Sequence, residues 1–250
     1  FKLTLGKHGM PFTLDGSTSS KSLLTIDRNA LTNNLWFPTE YLPGISTSGQ
    51  LKNWRYHVGV YSMDSNAEEF GDLDIGRGYI ASLGYDFSTV LGMDEALLKF
   101  DYVYNEPRED NSFTRQLENV ASINFRLAKG KVGLRGDVAL ARGYNDQSNI
   151  WGLVIMPYYD VSSSIQVVGR YTYVSSDDPG DVRYSRYESK AFKARGDNYN
   201  EWYTGLNWYL YGQKFKFQTG IKYVNMNDST GQNGGDYDGW DWITAFRMSW

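Results

Sequence analysis

Nine basic side chains share one feature: each falls on the face of an extended segment that lies opposite a row of large apolar residues, because side chains alternate with period two. They are Lys2, Arg55, Lys99, Arg126, Arg135, Arg170, Lys216, Lys222 and Arg247. Five acidic residues have the same parity: Asp86, Asp101, Asp137, Glu201 and Asp241. Nine cations against five anions leave an excess of four positive charges, in a chain whose formal net charge is −4. Because clustered ammonium and guanidinium groups replace part of the water around an anion, this face is predicted to prefer anions.

A second interpretation of these charges is purely structural. Charges of both signs on neighbouring strands form ion pairs, and such pairs would solvate an interior without selecting any ion. The residue types alone leave both interpretations open.

Residues suited to catalysis or metal binding are scarce. The chain has no cysteine and only two histidines, His8 and His57, so a histidine-rich metal site is not expected. His57 has no nearby serine on the outward face, where the lipid substrate of a membrane hydrolase would lie. Asp236 and Asp238 lack the remaining ligands of a calcium loop. We therefore expect no enzymatic activity and no cofactor, and the negative net charge argues against binding to nucleic acid.

Strands must position the charged face. Alternation recurs in twelve segments, at about 1–7, 43–51, 54–62, 79–87, 96–105, 119–127, 131–143, 150–161, 165–175, 201–211, 215–226 and 240–250. The second and eighth of these are ambiguous in their alternation. The connections alternate between tight turns and long stretches, of which 8–42 is the longest. No run approaches the roughly 18 apolar residues that a membrane helix requires.

The face opposite the charges is rich in aromatic and aliphatic residues. In the last segment it carries Trp240, Trp242, Phe246, Met248 and Trp250. Arg142 is the single charge that we place on it, near a strand end where its stem can reach lipid headgroups. Aromatic residues make up 16% of the chain, yet its mean hydropathy is −0.52. This combination is typical of a transmembrane antiparallel β-barrel, since only alternate residues contact lipid.

We therefore predict an all-β fold in which residues 1–250 form one barrel domain with about twelve strands. The alternative is a soluble β-sandwich that buries the apolar face as its core.

The long connection 8–42 is predicted to pack against the rest of the fold rather than to be disordered. It contains Leu23, Leu24, Ile26 and Leu31, and loops of this length within a compact fold are usually functional or disordered. Folded inward, it would narrow a channel and place Lys21 and Arg28 opposite the charged face. We expect these two residues to form the constriction.

Five stretches near the two ends of the chain carry a family resemblance. They are residues 5–20 (LGKHGMPFTLDGSTSS), 26–29 (IDRN), 43–44 (PG), 200–220 (NEWYTGLNWYLYGQKFKFQTG) and the terminal segment 237–250. These stretches resemble the phosphate-selective porin O and P family. In the middle of the chain, the pattern of alternating residues matches the family more closely than the residue identities do.

The resemblance implies a trimeric outer-membrane channel of Gram-negative bacteria with sixteen strands, of which this chain would supply the fifth to the sixteenth. Residues 8–42 would then be the third extracellular loop, which folds into the barrel. This loop is not strongly basic, and that weakens the expectation of strict phosphate selectivity. Small anions such as phosphate are the expected solutes. A general or sugar porin, or an adhesive barrel with a plugged lumen, is the alternative.

Overall fold

A computed structural model describes residues 1–35, 41–63, 76–109, 111, 115–185, 188, 194–232 and 234–249. The terminal Trp250 lies outside the described residues, as does part of the connection 8–42. None of the described helices is both long and apolar enough to cross a membrane.

The chain is built almost entirely from antiparallel strands. They are β1 (Lys2–His8), β2 (Leu42–Leu51), β3 (Trp54–Ser62), β4 (Arg77–Asp86), β5 (Glu95–Asn105), β6 (Leu117–Lys129), β7 (Val132–Gly143), β8 (Ile150–Asp160), β9 (Ile165–Ser176), β10 (Val182–Arg183), β11 (Arg195–Gly196), β12 (Asn198–Tyr211), β13 (Phe215–Asn227) and β14 (Tyr237–Met248). Short helical elements include a 3-10 turn (Ser20–Ser22), α1 (Ala30–Leu35) and α2 (Ser88–Leu91). The prediction of an all-β, antiparallel fold is confirmed.

Twelve of these strands form one sheet in which spatial neighbours follow chain order. The order is β1-β2-β3-β4-β5-β6-β7-β8-β9-β12-β13-β14, and every neighbouring pair is antiparallel. Among the described residues, β1 and β14 each pair with a single neighbour, so the sheet has two free edges. The short strands β10 and β11, which the sequence analysis did not predict, pair with each other within a long connection, and Arg195 of β11 also bridges to Gly234.

The outward face of the sheet is apolar and exposed, as predicted. One row of directly paired residues runs across five strands through Val58, Ala81, Tyr102, Ala121 and Leu140. The two ambiguous segments also form strands, and their Ile45, Trp151 and Ile155 point outward. On β14, Trp242 is 79% exposed although it is a large aromatic residue. A continuous apolar face of this extent is unusual for a protein surrounded by water.

The inward face is covered by residues 9–35, which we call the inner loop. Phe12, Leu14, Leu31 and Leu35 of this loop are almost completely buried. Phe12, Leu31 and Leu35 belong to an apolar cluster with strand residues such as Val120 on the half of the sheet nearer the long connections. The apolar residues of the loop therefore form a hydrophobic core together with residues on the inward face of the sheet.

Gly152 of β8 allows α1 to lie close to the sheet. A Cβ atom added there would lie 2.8 Å from Cδ1 of Leu31 and 2.5 Å from the carbonyl oxygen of Tyr173. Gly152→Ala is expected to lower the free energy of unfolding by about 1–3 kcal/mol, because backbone atoms must shift. Urea titration of the protein folded in lipid vesicles measures this loss.

Gly84→Ala is the matched control, because a Cβ atom at this inward-facing glycine meets nothing closer than 3.4 Å. Its free energy of unfolding should stay within about 0.5 kcal/mol of the original value. Equal losses in both variants would contradict close packing of the inner loop on β8.

Candidate functional site

Two carboxylates of the sheet hold the first turn of the inner loop. The backbone N–H of Thr13 donates to Oδ2 of Asp101 at 3.2 Å, and that of Leu14 donates to Oδ2 of Asp137 at 2.7 Å. Both carboxylates are buried. Each of these carboxylates, which the sequence assigned to the inward face, thus accepts one backbone N–H group of the inner loop.

Two cations of the sheet hold a later part of the same loop by its carbonyl groups. Lys216 Nζ donates to the carbonyl oxygen of Leu23 at 2.7 Å, and Arg247 Nη2 donates to that of Ile26 at 2.7 Å. Lys216 is fully buried. Charged donors form the stronger hydrogen bonds in proteins, so these contacts fix the path of the loop across β13 and β14.

A buried ionic network centres on Asp27 of the inner loop. Arg170 Nη2 lies 2.9 Å from Asp27 Oδ1, and its Nε lies 2.7 Å from Glu201 Oε1. Lys222 Nζ lies 3.5 Å from Asp27 Oδ2 and forms a second ion pair with Glu188. The side chains of Arg170, Lys222 and Asp27 are at most 1% exposed.

The cations of this network control the charge of Asp27. Burial alone would raise the pKa of this carboxyl, but Arg170 and Lys222 outweigh burial and lower the pKa below its ordinary value of 3.8. Asp27 is therefore ionised at neutral pH, where it compensates two cations that the sequence analysis placed on the inward face.

The two loop cations lie in different environments. Arg28 donates from Nε to the carbonyl oxygen of Asp15 at 3.0 Å and from Nη2 to that of Thr18 at 3.1 Å. These bonds join two parts of the inner loop. Lys21 lies in the 3-10 turn and is exposed.

Four cations of the sheet are more accessible. Arg55 pairs with Asp86 at 2.9 Å while half of its side chain remains exposed, and Lys99 pairs with Asp101 at 3.0 Å with 19% exposed. Arg126 and Arg135 are both half-buried.

Arg126 and Arg135 are directly opposite each other on β6 and β7. Arg126 Nη2 donates to the hydroxyl of Thr18 at 2.9 Å, and the guanidinium of Arg135 lies 5.7 Å from the centre of the Tyr158 ring. Within the part of the chain that the structure describes, neither arginine forms a salt bridge, and Nε of Arg135 is buried without a hydrogen-bond partner. Like charges that face each other across two strands repel, so this arginine pair favours an anion between or beside them.

Asp27 and Glu188 were not predicted from the sequence as partners of the inward cations. Neither belongs to a predicted strand, so the period-two rule says nothing about them. The pairing of Arg126 with Arg135 was accessible from the sequence, because a two-residue turn at 130–131 aligns these positions. Among the described residues, no cluster of acidic or histidine side chains has the geometry of a metal site.

Comparison with known proteins identifies a family and similar solved structures. The family described as "Phosphate-selective porin O and P" matches residues 1–173. The crystal structure of the outer membrane channel DcaP of Acinetobacter baumannii aligns with a TM-score of 0.57 and 11% sequence identity, over 98% of this chain and 71% of that chain. At this identity the alignment indicates a similar fold. No curated protein matches the chain.

Proposed function

Because the chain belongs to the phosphate-selective porin O and P family, we propose that it is a passive diffusion channel for small anions, including phosphate-like oxyanions, in the bacterial outer membrane. The observation that carries the anion preference is the facing pair of Arg126 and Arg135, neither of which forms a salt bridge within the described residues. The exposed apolar face supports a membrane location, since this face would contact lipid.

The sheet closes into a barrel in this proposal, with its apolar face toward lipid and its charged face toward the bore. Closure removes the free edges of β1 and β14, whose unpaired N–H and C=O groups are costly in lipid. A complete barrel of sixteen strands and a trimeric assembly are proposed from the family alone. The chain has no enzymatic role in this proposal.

The proposed pore-lining cations have two roles. Arg170, Lys216, Lys222 and Arg247 hold the inner loop, which we propose to be the constriction, while Arg28 joins two parts of that loop. The accessible cations Lys21, Arg55, Lys99, Arg126 and Arg135 contact the permeating ion. Each offers a weak site that replaces part of the hydration of the anion and still allows it to leave.

The position of Arg126 links the constriction to the anion path. Its guanidinium contacts Thr18 of the inner loop and also faces Arg135. Arg126 therefore lies at the boundary in space between the inner loop and the accessible cations. Arg55, Arg126 and Arg135 are all within a few residues of the tight turns at one end of the sheet. We propose that an anion passing the loop meets this group next.

Planar-bilayer recording in a potassium chloride gradient tests the proposal with the purified protein. Open steps are expected, with a reversal potential on the anion-selective side, and added phosphate should reduce the chloride current. A cation-selective or zero reversal potential would contradict the anion preference.

The close packing of the inner loop favours a second candidate, a structural barrel with a plugged lumen. Phe12, Leu31 and Leu35 fill the described inward face near the long connections. A protein that is correctly folded in the bilayer but shows no conductance at any voltage would support this candidate over the channel. A conducting protein whose chloride current does not respond to phosphate would support a general or sugar porin.

A further inference from the structure

A groove lies on the outward face of β5 to β8, away from the charged face. Its floor is Ala121, which lies in one row between the larger side chains of Tyr102 and Leu140, with Trp151 beyond. Because alanine has a short side chain, the row dips at this position and leaves a groove of about 490 Å³. The apolar floor and the shape suit an acyl chain.

Polar groups close one end of the groove. They are Asn119, Arg142, Asn149 and Asp177. This end points toward the long connections, because Arg142 is the last residue but one of β7 and Asp177 directly follows β9. Arg142 has 74% of its side chain exposed and lies 3.9 Å from Oε2 of Glu118, which is a long contact between solvent-accessible groups. The Asn149 amide donates to Asp177 Oδ2 at 2.8 Å.

Arg142 and Asp177 give this end charges of both signs beside the apolar floor. An exposed guanidinium binds a phosphate with charge-assisted hydrogen bonds. A carboxylate beside it repels a lipid that carries only negative charge, and it attracts a primary ammonium. The headgroup that complements both charges therefore carries one phosphate and one ammonium.

We propose that this groove binds one phospholipid with a phosphate and a primary ammonium in its headgroup. An acyl chain lies over Ala121, the phosphate contacts Arg142, and the ammonium contacts Asp177. The inference rests on the membrane location in the proposed function and is independent of the ion selectivity of the bore. It gives a role to Arg142, the charge that the sequence analysis placed on the apolar face.

Native mass spectrometry of the purified full chain tests this site. The protein is folded in detergent with an equimolar mixture of phosphatidylethanolamine, phosphatidylglycerol and lipid A. We expect one phosphatidylethanolamine to be retained in preference to the other lipids. Arg142→Ala should weaken its retention about tenfold, as expected for the loss of a charged hydrogen bond.

Ala121→Leu fills the groove without placing a polar group on the lipid-facing surface, and it should also reduce the retention of phosphatidylethanolamine. Ala81→Leu is the matched control, since Ala81 is exposed in the same row on the other side of Tyr102 and does not line the groove. Ala81→Leu should retain the lipid as the original protein does.

Three outcomes would overturn the site. They are equal retention of the three lipids, preferential retention of lipid A or phosphatidylglycerol, and equal retention by the Ala121→Leu and Ala81→Leu variants.

Conductance of the same samples separates this inference from the proposed channel. Arg142→Ala should leave the reversal potential unchanged. Weaker retention of the lipid with unchanged ion selectivity would therefore show that Arg142 acts in lipid binding and not in the selectivity of the channel.

Discussion

Asp27→Asn is expected to destabilise the protein by about 3–5 kcal/mol and to release the inner loop from the sheet, because it removes the negative charge that compensates two buried cations. Arg170 would keep Glu201, and Lys222 would keep Glu188, but both would lose their common partner in the loop. In the proposed channel, the released loop should raise the single-channel conductance and the current noise. Urea titration in lipid vesicles and single-channel recording measure the two effects.

Asp15→Asn is the control for this prediction. Asp15 is also buried in the inner loop, but its carboxylate accepts hydrogen bonds from the backbone N–H and the side-chain amide of Asn29 within the same loop. The variant can still accept these bonds, so a much smaller loss of stability is expected. If both variants lose the same stability, the ionic network does not hold the loop.

The pH dependence of loop docking has a definite sign. Asp27 has a pKa below its ordinary value of 3.8, so its contribution to stability is complete above that pH. It is lost as the pH falls through the lower pKa of the folded state. Conductance changes that arise from Asp27 should therefore be absent between pH 7 and pH 5 and should appear only below pH 3.8. Loop release already at pH 5 would point to a different titrating group.

The second large effect concerns anion selectivity. Arg126→Gln combined with Arg135→Gln removes two accessible charges that form no salt bridge within the described residues, while it keeps two hydrogen-bonding side chains. At about 8 Å in water, one charge changes the energy of a monovalent ion by about 0.5 kcal/mol. Two charges favour an anion over a cation by about 2 kcal/mol before screening by salt.

We therefore expect the chloride-to-potassium permeability ratio to fall about tenfold in the double variant, after an allowance for screening. Reversal potentials in a salt gradient give this ratio directly. Lys129→Gln combined with Lys131→Gln removes the same charge from the same hairpin, but at exposed positions at and beside its turn. This control should change the ratio much less. An unchanged ratio in the arginine variant would exclude the pair as a selectivity site.

The faces of the strands were predictable from the sequence, because side chains in an extended chain alternate regardless of the strand's neighbours. Trp54, Phe100, Trp208 and Phe246 are all exposed on the outward face, as their positions predicted. The tight turn between β6 and β7 also fixed a local pairing, in which Arg126 directly faces Arg135.

The partners of the inward charges were not predictable in this way. A tally of nine cations and five anions treats every charge as accessible, whereas Arg170 and Lys222 are buried against Asp27 and two glutamates. The tally also treats Asp101 and Asp137 as acids facing a bore, although both are buried and each accepts a backbone N–H group of the inner loop. Burial and pairing with carboxylates or carbonyl groups thus divide the inward cations into those that hold the inner loop and those that remain accessible.

By itself, the sequence determined the antiparallel strands, their two unlike faces and the family. Only the tertiary structure decided which charges face solvent, because that depends on where the inner loop lies across the sheet. Its contacts join residues that are far apart in the chain, such as Ile26 and Arg247 at a separation of 221 residues. Alternation acts over two residues and turns act over a few, so neither can specify a contact over that distance.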